Sequence, residues 1–191
     1  ASINFTLGNI VPNLDVTSAT AHLGGGGKAL DNLLNGNEGN NRFTGGGGND
    51  GIDGKAGIDT AIYTAPRSGY LLAKTETGFT VADGSGNEGL DRLANVERLQ
   101  FSDAKVAIDL TSGGNAAKTA QFLGLLGFSF LSQKAVVGTV LGVFDQTGIN
   151  QSEAFSLVLN NGLVNELAGG ASDTAFVKLV HRNLLGTEAS D

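Results

Sequence analysis

The chain has 191 residues, no cysteine and 30 glycines against two prolines, so it can bury a core without disulfides and carries neither a thiolate metal site nor a thiol nucleophile. Its net charge is −7 and its 12 Lys and Arg form no run, which excludes nucleic acid and anionic membrane as partners and favours cations. The N-terminal ASINFTLG lacks the basic and apolar regions of a signal peptide and reads as an internal point of a longer chain, while the most apolar stretch, 135–144, is too short to cross a bilayer.

Residues 1–26 read as strand and turn. Ile3, Phe5 and Leu7 alternate, 13–17 offers a second short strand, and the run Gly24–Gly27 closes the zone. Residues 27–62 are a gapless nine-residue repeat with units GKALDNLLN (27–35), GNEGNNRFT (36–44), GGGGNDGID (45–53) and GKAGIDTAI (54–62). Position 1 is glycine in every unit, and position 4 is glycine except at Leu30. Position 6 is Asn32, Asn41, Asp50 and Asp59, and position 8 is apolar: Leu34, Phe43, Ile52 and Ala61.

Residues 63–110 lose this period but stay strand-like, with runs at 70–72, 79–81, 96–101 and 106–110. A degenerate fifth unit, GNEGLDRLA (86–94), matches at Gly86, Gly89, Asp91 and Leu93 and reads as an ordinary surface turn before a strand. A linker is expected near 111–114. From about residue 115 the period is helical: Phe122, Leu125, Leu126 and Phe130 share one face. A second helix is predicted over 133–145, and Asn150 with Glu153 forms the N-cap and N3 pair of a third reaching about Asn161. Ser172 caps a fourth, with Phe176, Leu179, Val180 and Leu184 on one side and Gly186 as its stop.

The nonapeptide implies a coil. Six glycine-rich residues make a turn, and three make a short strand whose middle side chain, position 8, points inward. Two units complete one coil of 18 residues, so turns of units n and n+2 stack. Stacking brings main-chain carbonyls and position-6 side chains of successive layers into one gap. A flexible cage of six or more oxygens suits Ca²⁺ rather than Mg²⁺. Glycine is expected there because the turn exposes carbonyls at backbone angles that a Cβ forbids.

These units resemble the G-G-x-G-x-D-x-U-x nonapeptide of RTX proteins, the hemolysin-type calcium-binding repeat. The resemblance implies a β-solenoid, a parallel β-roll with capping strands, over 1–110, followed by a small all-α domain over 111–191. It also implies a ligand set. The first site takes the carbonyls of Lys28 and Leu30 with the Asn32 side chain, then the carbonyls of Gly45 and Gly47 with Asp50. The second takes the carbonyls of Asn37 and Gly39 with Asn41, then those of Gly54 and Ala56 with Asp59. Each gap has one carboxylate and one Asn, which implies weaker sites than an all-Asp repeat. Leu30 departs from the glycine of position 4.

FTLGNIVPNLDVT (5–17) resembles the rungs that precede such repeats, and LDRLANVERLQFSDAKVAIDL (90–110) resembles the segment that follows them and caps the open end. NAAKTAQFLGLLG (115–127) and AFVKLVHRNLLGTEASD (175–191) are similar to the DUF4214 type of domain, whose further helices are missing here, implying truncation.

Catalytic patterns are weak. His22 and His181 lie far apart in sequence, and Ser129 in GFSFL lacks a nucleophile elbow. Asp91 with Glu97, or Asp103 with Asp109, can be drawn as acid and base, but nothing in the spacing singles them out. Asp145–Gly148 starts like an EF-hand loop without its later ligands, and the glycine runs lack the Lys-Ser/Thr of a phosphate loop. The chain is therefore expected not to be an enzyme. The resemblance implies a calcium-binding module of a secreted Gram-negative bacterial protein that folds on extracellular Ca²⁺ and leaves through type I secretion machinery. Two alternatives stay open. One is a surface, adhesin or surface-layer module whose helices contact an unidentified partner. The other is the tail of a secreted hydrolase whose catalytic domain lies upstream.

Overall fold

A computed structural model of the chain describes residues 3–6, 13–15, 23–111, 113–160 and 178. The chain divides into two compact units, Ala1–Ile108 and Asp109–Asp191.

The first unit is two mostly parallel sheets of short strands, an arrangement consistent with a β-roll. Strands β1 (Ile3–Thr6), β3 (Leu23–Gly26), β5 (Arg42–Thr44) and β7 (Thr60–Ile62) join one sheet, and β2 (Asn13–Asp15), β4 (Leu33–Asn35) and β6 (Gly51–Asp53) the other. Successive strands thus alternate between sheets, and neighbours within a sheet run parallel. The register follows the repeat: Leu34 pairs with Ile52 and Phe43 with Ala61, 18 residues apart as predicted. Each three-residue strand turns one side chain inward, and Leu34, Phe43, Ile52 and Ala61 are all 2 % exposed or less. Burial of Leu34, Phe43 and Ile52 contributes about 1.5–3 kcal/mol each.

Two features depart from the predicted zones. The glycine run expected to close the first zone is strand β3, paired with β1 and β5. Gly25 occupies the inward position opposite Phe43, where a Cβ would approach the Phe43 ring to 2.9 Å and Leu14 to 3.1 Å. The bulk of Phe43 therefore fills the space that the glycine leaves. Before this point the coil is longer, since Ile3 pairs with Leu23 and Asn13 with Leu33, a spacing of 20 residues.

The stretch 90–110, expected as a cap, does two jobs. Strands β10 (Leu90–Ala94) and β11 (Arg98–Gln100) add one further parallel rung to each sheet, on β6 and β7. The antiparallel edges come from β12 (Lys105–Ala107) on β11, and from the hairpin of β8 (Tyr70–Lys74) and β9 (Phe79–Asp83) on β10. Tyr63, Tyr70 and Phe101 pack with ring centroids 5.1–5.5 Å apart, and Arg67 lies over the Phe101 ring at 5.6 Å.

The second unit contains α1 (Asn115–Leu126), α2 (Lys134–Thr147) and α3 (Gln151–Asn160) among the described residues. Their core is Phe122, Leu123, Leu126, Phe144 and Ala154. Helix α1 ends before Gly127, and Phe130 reaches the core from a short 3₁₀ turn, Phe128–Ser132, that also holds Ser129. The Asp109 carboxylate accepts the Asn115 N–H at 2.7 Å and so caps α1. Asn150 and Glu153 form the expected reciprocal box: each side chain accepts the other's main-chain N–H, at 3.0 and 2.8 Å. Asp145 sits in α2 and accepts from the Asn115 amide at 2.9 Å. The predicted fourth helix, apart from Lys178, and both histidines lie outside the described residues. Among the described residues, no helix is long and apolar enough to cross a membrane.

Candidate metal centre

Because the strands alternate between sheets, the turns form two stacks. Turns 27–32, 45–50 and 84–89 lie along one edge of the first unit, and 36–41, 54–59 and 95–97 along the other. At the first edge the predicted residues of the first site meet. The Gly45 carbonyl and the Asn32 Oδ1 both lie against Gly27, and the Leu30 carbonyl lies against Gly48. The Lys28 carbonyl accepts the Gly47 N–H at 3.0 Å, and Asp50 Oδ1 accepts the Asn32 N–H at 2.7 Å. At the second edge the Gly54 carbonyl and Asn41 Oδ1 lie against Gly36, and the Gly39 carbonyl against Gly57. There Asp59 Oδ1 accepts the Asn41 N–H at 2.6 Å, while Asn41 Oδ1 accepts the Asn37 N–H at 2.9 Å. Ala56 lies in the same turn, exposed.

Glycine serves two purposes here. At position 1 it permits close approach: a Cβ on Gly27, Gly36 or Gly54 would strike a carbonyl of the next layer and its own turn's position-6 side chain. At positions 2 and 4 it permits left-handed backbone, but only in the later turns, at Gly46, Gly48 and Gly57, with Lys55 left-handed at φ 72°. Among the described residues none in 27–41 has positive φ, so Leu30 fits position 4 without strain.

Sequence reasoning missed a second polar ladder at position 5. Asp31 Oδ1 accepts the Asn49 N–H, Asn40 Oδ1 the Ile58 N–H, and Asn49 Oδ1 the Leu90 N–H, at 2.7–2.9 Å. The signal was legible, because position 5 is Asp31, Asn40 and Asn49 in the first three units.

It also misread 86–94. That segment stacks on 45–53, with Leu93 opposite Ile52, and Asp91 is 2 % exposed rather than on a surface turn. Asp91 Oδ1 accepts the Asp50 N–H at 3.0 Å. Glu97 does the same at the other edge, where its Oε2 accepts the Asp59 N–H at 2.8 Å. The position-6 columns therefore read Asn32, Asp50, Asp91 and Asn41, Asp59, Glu97. Asp91 and Glu97 thus belong to different edges and form no acid–base pair. Asp103 accepts the Arg67 N–H and Asp109 caps α1.

The charged groups acting on Asp50, Asp59 and Asp91 are other carboxylates: Asp31 on Asp50, Glu97 and Asp53 on Asp59, and Asp50 and Glu88 on Asp91. Lys55 pairs with Asp53 at 2.6 Å, on the exposed side of the turn. Asp50 Oδ2 and Asp59 Oδ2 are buried and accept no hydrogen bond. Burial pushes the Asp50 carboxyl up to about 6, against the Asn32 N–H that lowers it, with Asp31 adding repulsion. Burial pushes Asp59 to about 8, helped by Glu97 and Asp53, and Asp91 to about 7, helped by Asp50. Among the described residues no three His, Cys, Asp or Glu side chains converge. A cation held here would therefore take most of its ligands from main-chain carbonyls. Buried carboxylate oxygens without donors, packed among carbonyls in glycine cradles, fit a hard oxygen-seeking cation such as Ca²⁺. No family model matches the chain, and no curated protein matches it.

Proposed function

We propose that the first unit is a calcium-binding β-roll of the RTX kind, belonging to an exported protein and ordered by the calcium it meets outside the cell. The observation that carries this reading is the pair of buried oxygens, Asp50 Oδ2 and Asp59 Oδ2, that accept no hydrogen bond at stacked glycine turns. Calcium would be held by the carbonyls and side chains of Lys28, Leu30, Asn32, Gly45, Gly47 and Asp50 at one edge. At the other it would be held by those of Asn37, Gly39, Asn41, Gly54, Ala56 and Asp59. Bound there, the ion would supply positive charge to buried carboxylates whose charged neighbours are other carboxylates. The protein groups do the rest: Asp50 and Asp59 bridge layers through their Oδ1 atoms, and the position-1 glycines let the layers close.

This links calcium to folding. With little calcium the buried carboxylates repel and resist burial, so the roll stays open, a state suited to threading through a type I secretion channel. Sites of extracellular type, with Kd on the order of 10⁻⁴ M, are about 90% filled at millimolar calcium. Each then adds roughly 1.4 kcal/mol to the folded state. The role is non-catalytic and located at the cell exterior or surface. The helical unit is DUF4214-like on this reading and serves as a separate module.

The full chain, stripped with EDTA, is to be titrated with calcium by calorimetry and circular dichroism. EDTA should remove the β-type signal and leave the helical one, and calcium but not magnesium should restore it. Spectra indifferent to both EDTA and calcium would end this reading.

A further inference from the structure

We infer that the tightest cation seats of this roll lie beyond the nonapeptide repeat, in the two gaps that close the turn stacks. One is shared by Asp59, Asn95 and Glu97 and the other by Asp50 and Asp91. The inference rests on the calcium-binding reading above and moves its strongest sites one layer along each column.

The buried oxygens point there. Asp59 Oδ2 and the Asn95 carbonyl oxygen converge on the space beside Gly54 that a Cβ would fill. Gly54 gives its N–H to the Ala94 carbonyl at 3.0 Å, so neither oxygen receives it. At the other edge Asp50 Oδ2 fills the corresponding space at Gly45, the Gly48 carbonyl abuts Gly89, and the Asn87 carbonyl comes within 2.9 Å of a Cβ built on Gly47. In the gaps of the repeat itself the equivalent oxygens are already engaged. Asn32 Oδ1 accepts the Lys28 N–H, and Asn41 Oδ1 accepts the Asn37 N–H, at 2.8 and 2.9 Å. An asparagine at position 6 closes its own turn, whereas an aspartate there leaves an oxygen over.

Charge and backbone agree. Each repeat gap has one carboxylate and one amide, while each closing gap has two carboxylates, enough to neutralise a divalent ion. Ligand charge count is a main determinant of calcium affinity. Left-handed residues at positions 2 and 4 occur in turns 45–50 and 54–59, the turns that face the closing gaps, and not in 27–41. The closing turn at the second edge is shortened to 95–97, with Asn95 left-handed at φ 50°. Glu97, one methylene longer than aspartate, spans the shortfall and reaches the Asp59 N–H.

The test uses the full chain and calcium, with Tb³⁺ as a luminescent substitute. Glu97→Gln and Asp91→Asn keep an acceptor for the Asp59 and Asp50 N–H groups and remove one charge each. Each should weaken the tightest calcium binding by about tenfold or more, and more than Asn32→Ala or Asn41→Ala does. Glu76→Gln, in the β8–β9 turn, should match wild type. The Tyr63 hydroxyl faces Asp91, so tyrosine-sensitised Tb³⁺ emission should fall in Asp91→Asn. If Glu97→Gln and Asp91→Asn bind as wild type while the asparagine variants do not, the seats lie in the repeat and this inference fails with the calcium reading intact. If wild type takes up no calcium, both fail. For a variant that does not fold, the wild-type carbonyl ¹³C resonance of Asn95 decides: calcium should shift it, and an unmoved resonance overturns the assignment.

Discussion

Asp59 has no exposed surface, one oxygen on the Asn41 N–H and the other on nothing. Its cost without a cation sets a pH dependence. The metal-free folded values of Asp50, Asp91 and Asp59, about 6, 7 and 8, all exceed the ordinary carboxylate value. A raised value means that the folded state binds protons more tightly than the unfolded one. The stabilising contribution is complete below about pH 4 and disappears as pH rises through 6–8. The metal-free roll should therefore melt at lower temperature at pH 8 than at pH 5, and millimolar calcium should reverse that order because the ion needs charged ligands. Thermal melts followed in the β-sheet signal check both directions, and a metal-free roll that melts higher at pH 8 contradicts the electrostatics. Gly54→Ala tests the same spot sterically: its methyl group would meet the Asn95 carbonyl and Asp59 Oδ2, with an expected loss of about 1–3 kcal/mol in the roll. Much of this was legible in residue spacing, since position 1, position 6 and position 8 each mark one physical role. Glu97 was not, because it follows Asp59 by 38 residues and sits in a turn of different length.

Elements divide by what specifies them. The Asn150–Glu153 box could be read directly, because its chemistry is local, and α3 begins one residue later as a result. Asn150→Ala should cost the helical unit about 1 kcal/mol, visible as a lower melting temperature of the helical signal. Gly138 and Gly142 lie inside α2, where a Cβ would meet nothing within 4 Å. Gly138→Ala should raise helical stability by about 0.5–1 kcal/mol, and a lowered melting temperature would show an unseen close contact at that face. Strand β3 is the opposite case. Three glycines carry little strand propensity, and the strand exists because β1 and β5 flank it and the Phe43 ring, 18 residues on, needs the room. No local window holds that information.

Across the first unit, the coil itself was foreseeable from the nine-residue period, but its interruptions were not. Residues 63–89 leave the winding for a 3₁₀ turn and a hairpin, and the chain then rejoins the sheet of β6 at β10, 41 residues on instead of 18. A break of this kind has no period for a sequence to display. The alternation of strands between the sheets has one further consequence, of parity. An even insertion, one more pair of units after Asn35, should lengthen the stack by one step of about 4.8 Å and leave every later rung on its own side. An odd insertion of a single unit transposes everything downstream: Phe43 would be delivered where Ile52 now stands and Ile52 where Ala61 does, and the Asp50 column would be dealt to the edge that Asp59 holds. Duplications tolerated by this half of the molecule should therefore come in eighteens and not in nines.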